Sequence, residues 1–145
     1  MTSEQIINKL PYKHPFLFVD EITSVDDSSI SGSYTYPENL FFYKGHFIDK
    51  PITPGVILTE TMAQIGLVSF GIYLTRDSES AIENATIAMT SNAIDYFLPV
   101  LPSEKVIVKA QKEYFRFNKL KCKVEMYNEN DQLVSRGQIS GMITK

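Results

Sequence analysis

The run from Pro54 to Thr75, P-G-V-I-L-T-E-T-M-A-Q-I-G-L-V-S-F-G-I-Y-L-T, constrains the fold more than any other part of the chain. Thr53 as cap and Pro54 in the first turn are helix-start signals. A helix of this length would be roughly 30 Å long. Apolar side chains surround it on nearly every side, so it must either span a membrane or be wrapped by protein. Glu60 and Gln64 interrupt it and leave no stretch of about 18 uninterrupted apolar residues, so the membrane reading is rejected. The rest of the chain has to cover one long buried helix.

The remaining segments supply that cover. Ser3 is placed to cap a short helix through about Lys9, which Leu10-Pro11 ends. Strands are expected over Phe16–Asp26, Ile30–Tyr36, Ala85–Val100, Lys105–Phe117, Lys121–Tyr127 and Leu133–Ile143, with Leu40 to Thr53 as a loop. Leu101-Pro102-Ser103, Asn118-Lys119 and Asn128 to Asp131 have turn chemistry. The last three strands, joined by short links, predict an antiparallel meander. The whole is an α+β arrangement, one domain over residues 1–145, with an antiparallel sheet of about six strands curved round a long central helix. Covering so apolar a helix in 145 residues calls for a second subunit, so a dimer is expected.

Charge and cysteine content narrow the function. The net charge is −3 and there is no basic run, which argues against nucleic acid as a partner. Two His and one Cys give no metal-ligand cluster, so neither metal nor organic cofactor is expected. Cys122 lies in K-C-K-V-E-M, a strand-like alternation, and reads as a packed thiol. Met-Thr-Ser-Glu-Gln at the start has no secretory pattern, so a cytoplasmic location is expected.

The chemistry concentrates between Lys44 and Gln64. His46 stands on a loop before the helix, Glu60 in its second turn, and Gly55 at its opening, where free N–H groups and the positive dipole end favour negative charge. A base, an acid and an oxyanion donor are what proton abstraction beside a carbonyl needs. Each residue also has a plainer reading: a surface His, a buried structural carboxyl, a small residue in a first turn. Gln64, one turn past Glu60, is either an amide tying Glu60 down or a polar packing residue. His14 reads as structural.

The segments L-P-Y-K-H-P-F-L-F-V-D, G-H-F-I-D-K-P-I-T-P-G-V-I-L-T-E-T-M-A-Q and F-L-P-V-L-P resemble the beta-hydroxyacyl-[acyl-carrier-protein] dehydratases of hot-dog fold, the FabA/FabZ family. The resemblance covers nearly the whole chain, and the middle segment is the specific one. It implies the dehydration of a 3-hydroxyacyl thioester on an acyl carrier protein to a trans-2-enoyl thioester, in fatty-acid or polyene/polyketide-type lipid synthesis. It implies His46 as catalytic base and Glu60 of a partner subunit as acid. Gly55 would supply the oxyanion N–H, the Ile52 carbonyl would orient the imidazole, and Gln64 would belong to the substrate-binding set. Glutamate at position 60 is the choice of the plain dehydratases rather than the isomerising branch. A homodimer, a trimer of dimers or a heterodimer with a related hot-dog subunit is implied.

The chain departs from the family pattern at three places. Ile48 stands where proline usually follows His-Phe, Asp95 where a basic residue usually precedes the F-x-x-P-V element, and Tyr12 where a His usually stands. Carrier docking is therefore expected on a different basic set: Lys50 and Lys44, which flank His46, with Arg116, Lys13, Lys119 and Lys121 as the other candidates. Two alternatives stand beside the dehydratase: an acyl thioesterase using a carboxylate to activate water, and a non-catalytic acyl-binding subunit of a heterodimer.

Overall fold

In the computed structural model, residues 1–78 and 86–144 are described. A short helix, α1 (Ser3–Asn8), opens the chain. Its cap is Thr2, not Ser3: the Thr2 hydroxyl accepts from the Gln5 N–H while the Gln5 side chain accepts from the Thr2 N–H. Ser3 Oγ instead accepts from the Ile22 N–H at 2.8 Å, pinning α1 to the first strand.

Six strands follow: β1 (Glu21–Val25), β2 (Ser29–Thr35), β3 (Thr86–Tyr96), β4 (Lys105–Arg116), β5 (Lys119–Asn128) and β6 (Leu133–Thr144). They form one antiparallel sheet in the order β1-β2-β4-β5-β6-β3, so β4-β5-β6 is the expected meander and β1 and β3 are the edges. Register breaks at Ile22/Ser24, Met89/Ser91, Lys112/Tyr114 and Met126/Tyr127 let the sheet bend. Several expected boundaries move: β3 ends at Tyr96 instead of Val100, and β5 begins at Lys119 instead of Lys121. The first strand begins only at Glu21, because Phe16 to Phe18 is held by a side chain of the central helix rather than by a ladder. Phe117 leaves β4 and forms, with Asn118, a two-residue hairpin turn with φ of 52° and 60°, the left-handed pair such a turn requires. The expected strand start at Ala85 lies outside the described residues.

The central helix runs Gly55–Leu74 as α2 (Gly55–Ala63), a π-helical stretch (Gln64–Ser69) and α3 (Phe70–Leu74). The Ser69 hydroxyl donates to the Gln64 carbonyl at 2.7 Å, across the widened turn. Thr53 is not the cap. Pro54 holds that position without a side-chain bond, and the Thr53 hydroxyl is bonded to the Tyr43 hydroxyl at 2.6 Å. Every residue from Thr61 to Ile72 is buried, and the most apolar window of the helix is 78% covered by the fold. The sheet thus supplies what the apolar helix demands. Met62, Ile65, Leu67 and Phe70 are fully buried, each contributing about 1.5–3 kcal/mol. Gly66 lets the helix lie close on the sheet: a Cβ there would lie 3.0 Å from the Ala110 Cβ and 3.1 Å from Val124 Cγ1.

Candidate active site

The loop before the helix is built to hold one imidazole. The His46 N–H donates to the Phe42 carbonyl, and the Ile52 N–H donates back to the His46 carbonyl at 2.9 Å. Phe47 and Lys50 exchange both backbone bonds across a tight turn in which Asp49 has φ of 60°. The Thr53 N–H donates to the Val100 carbonyl, anchoring the loop's end beyond β3. The His46 and Phe47 rings stack at 4.1 Å. His46 Nδ1 lies 2.9 Å from the Ile52 carbonyl oxygen. A carbonyl only accepts, so Nδ1 carries a proton, and the neutral tautomer that this bond selects has its free lone pair on Nε2.

Pro54 then turns the chain into the helix. Among the described residues, neither the Gly55 nor the Val56 N–H has a hydrogen-bond partner. These two amides lie at the positive end of the helix dipole, which is where an oxyanion is best stabilised.

Glu60 stands one turn further on and is half-buried. Desolvation by burial raises its pKa above the ordinary carboxyl value, and the bond from Gln64 only partly offsets that. Gln64 is fully buried. Its Oε1 accepts from the Phe18 N–H at 2.8 Å, and its Nε2 donates to the Phe16 carbonyl at 3.0 Å and to Glu60 Oε1 at 3.1 Å. Both amide protons are thereby used. Gln64 is thus the amide that ties Glu60 down, one of the two readings its position in the sequence offered, and it joins Glu60 to the N-terminal segment. Tyr12 belongs to the same corner: burial and the nearby Glu60 charge push its phenol up to about 12.

Two residues that sequence reasoning passed over also belong here. The Tyr96 ring lies against Gly55, and its hydroxyl is hydrogen-bonded to Thr59 Oγ1. Their separation of 37 positions leaves no sequence signal except an aromatic at the end of an edge strand.

The basic residues divide. Lys44 and Lys50 are exposed on the His46 loop. Arg116 pairs with Lys119 beside the β4–β5 turn, whereas Tyr96, which touches Gly55, pairs with Ser135 at the other end of the sheet. Within one chain, Arg116 is therefore far from the helix start. A separate groove of about 610 Å³, lined by Ser31, Lys109, Glu125 and Arg136 among others, crosses the sheet and contains none of the candidate residues.

A long helix held in a curled antiparallel sheet is the hot-dog fold, and solved structures agree. One subunit of a dehydratase heterocomplex from Xenorhabdus doucetiae superposes with a TM-score of 0.79 at 12% identity, over 97% of this chain and 91% of that one. A thioesterase from Haemophilus influenzae does so at 0.61 and 15% identity, over 86% and 78%. Residues 10–139 match the family model of the FabA-like domain, and the chain belongs to that family. The 3-hydroxyacyl-[acyl-carrier-protein] dehydratase FabZ of Ehrlichia ruminantium (strain Gardel) is 34% identical over 145 residues, covering 98% of this chain and 96% of the relative. The dehydratase of the same name from Chlamydia muridarum (strain MoPn / Nigg) is 31% identical over 144 residues, covering 98% and 92%.

Proposed function

We propose that this chain is a 3-hydroxyacyl-[acyl-carrier-protein] dehydratase that converts the 3-hydroxyacyl thioester to the trans-2-enoyl thioester in fatty-acid synthesis. The observation that carries the reading is the tether from His46 Nδ1 to the Ile52 carbonyl, which leaves Nε2 as a base on the loop that leads into the free amides of Gly55 and Val56. Nε2 takes the α-proton. The amides receive the charge that develops on the thioester oxygen, a contribution of about 3 kcal/mol per donor. Glu60, whose proton its burial holds more tightly than water would, gives that proton to the departing hydroxyl. Water leaves and the C2–C3 double bond forms.

The working unit in this reading is a homodimer in the cytoplasm. β3 is an edge strand of 11 residues with one free side. Its Met89 and Tyr96, and nearby Val56 at 74% exposure, leave apolar surface that an unpaired edge does not keep in water. A second copy pairing along β3 covers that surface and brings His46 of one chain to Glu60 of its partner.

The test is to incubate the purified protein with a 3-hydroxyacyl chain on an acyl carrier protein and follow the mass of the loaded carrier. Loss of one water supports the reading. Release of the free acid marks a thioesterase, an unchanged carrier marks a binding subunit, and either result rejects it.

A further inference from the structure

Tyr96 joins the free edge of the sheet to the first turn of the central helix. It is the last residue of β3, and its ring reaches across to Gly55, where an added Cβ would lie 3.3 Å from Cε1 and 3.4 Å from Cζ. Its hydroxyl is bonded to Thr59 Oγ1. Positions 55 and 59 are one helical turn apart on one face, so the ring lies along that face and touches the helix at both ends. A threonine inside a helix ordinarily returns its hydroxyl to the carbonyl four residues back, as Thr61 does to Ile57 at 2.9 Å. Thr59, almost fully buried, bonds Tyr96 instead. Gly55 carries one of the two free amides, and Thr59 immediately precedes Glu60.

We infer that Tyr96 is a positioning residue for the carbonyl-binding step, acting through its ring on Gly55 and through Thr59 on the helix turn between Gly55 and Glu60. The inference rests on the dehydratase reading. Because the helix start is held from the side, the Gly55 and Val56 amides keep one direction as charge builds on the thioester oxygen. Preorganised donors are worth more than donors that must turn toward the charge. The absence of a side chain at Gly55 lets the ring seat directly on the backbone.

The experiment compares wild type, Tyr96→Phe, Thr59→Val and the double variant. Tyr96→Phe keeps the ring and loses only the hydroxyl, and Thr59→Val keeps the buried shape. Each single change should lower kcat for carrier-bound substrate about 3- to 10-fold with KM within about twofold, the size of one lost neutral hydrogen bond. The double variant should be no worse than either single one, because the two side chains share one interaction. Incomplete folding also lowers kcat without moving KM, so a second readout is needed. The carbonyl stretch of bound butyryl thioester, which has no 3-hydroxyl to lose, should move back toward its free value in both single variants. An unshifted stretch with unchanged kcat overturns the inference, as do losses that multiply in the double variant. A wild type that binds butyryl thioester but turns nothing over refutes the dehydratase reading, while the stretch still decides for or against Tyr96.

Discussion

Replacing Glu60 with glutamine separates its proton from its place. The side chain keeps its size, and the new amide oxygen can still accept from Gln64 Nε2, as Glu60 Oε1 does at 3.1 Å. The tie to Phe16 and Phe18 is untouched, so the fold and the substrate contacts should survive. What disappears is the proton for the leaving hydroxyl, and general acid catalysis contributes about 10²- to 10⁴-fold. Turnover of a carrier-bound 3-hydroxyacyl substrate should fall by that amount, with KM little changed. The burial that raises the Glu60 pKa also sets a stability trend. Its carboxyl pKa is raised in the folded state, so the folded protein binds this proton more tightly than the unfolded chain. The wild type therefore loses stability as pH rises from the unfolded carboxyl value through the raised folded one. Glu60→Gln should melt above wild type at alkaline pH, and the advantage should shrink as pH falls through the raised folded value toward the unfolded one, then stay level below it. A variant with near wild-type turnover would falsify the acid role. One that melts lower than wild type at alkaline pH would show that the carboxylate, not the acid, is the form the fold favours.

Three further outcomes follow from the same contacts. Gln64→Ala leaves the Phe18 N–H and the Phe16 carbonyl without partners inside the fold and should cost about 2–5 kcal/mol; chemical denaturation measures this, and a loss under 1 kcal/mol would mean water replaces the amide. Lys50→Glu, on the exposed loop beside His46, should raise KM for carrier-bound substrate most strongly at low salt and leave a short thioester surrogate unaffected; equal effects on both substrates would reject docking at Lys50. Exhaustive chelation should leave turnover unchanged, and restoration by added zinc after a loss would reverse that expectation.

The central helix is legible in the sequence because burial on all sides leaves an apolar run that no surface helix shows, and Glu60 and Gln64 stand out as the polar residues inside it. The meander is legible because β4, β5 and β6 are joined by short turns. Failures occur where a side chain takes over the work of the backbone. Phe16 to Phe18 has the alternation of a strand, yet Gln64, 46 residues from Phe18, bonds the Phe18 N–H and the Phe16 carbonyl. Thr53 and Ser3 have the chemistry of caps, yet their hydroxyls bond Tyr43 and Ile22. Phe117 has strand propensity but stands 90% exposed in a left-handed turn. Within the site, His46, Gly55 and Glu60 sit close in sequence and are seen together. Tyr96 and Thr59 are brought together only by the wrapping of β3 against the helix, which no local pattern encodes.

The shared site is tested most directly by complementation between two inactive chains. His46→Ala retains Glu60, and Glu60→Gln retains His46. Alone, each should be nearly dead with carrier-bound 3-hydroxyacyl substrate. Unfolded together and refolded at equal concentrations, they should form mixed dimers in which one site has both native residues and the other has neither. With random pairing, half the dimers are mixed and one of their two sites works, so water elimination should return to about a quarter of the wild-type rate. If His46 and Glu60 acted within one chain, no mixture could restore a complete site. Mixed dimers confirmed by mass but still inactive would contradict catalysis across the subunit interface.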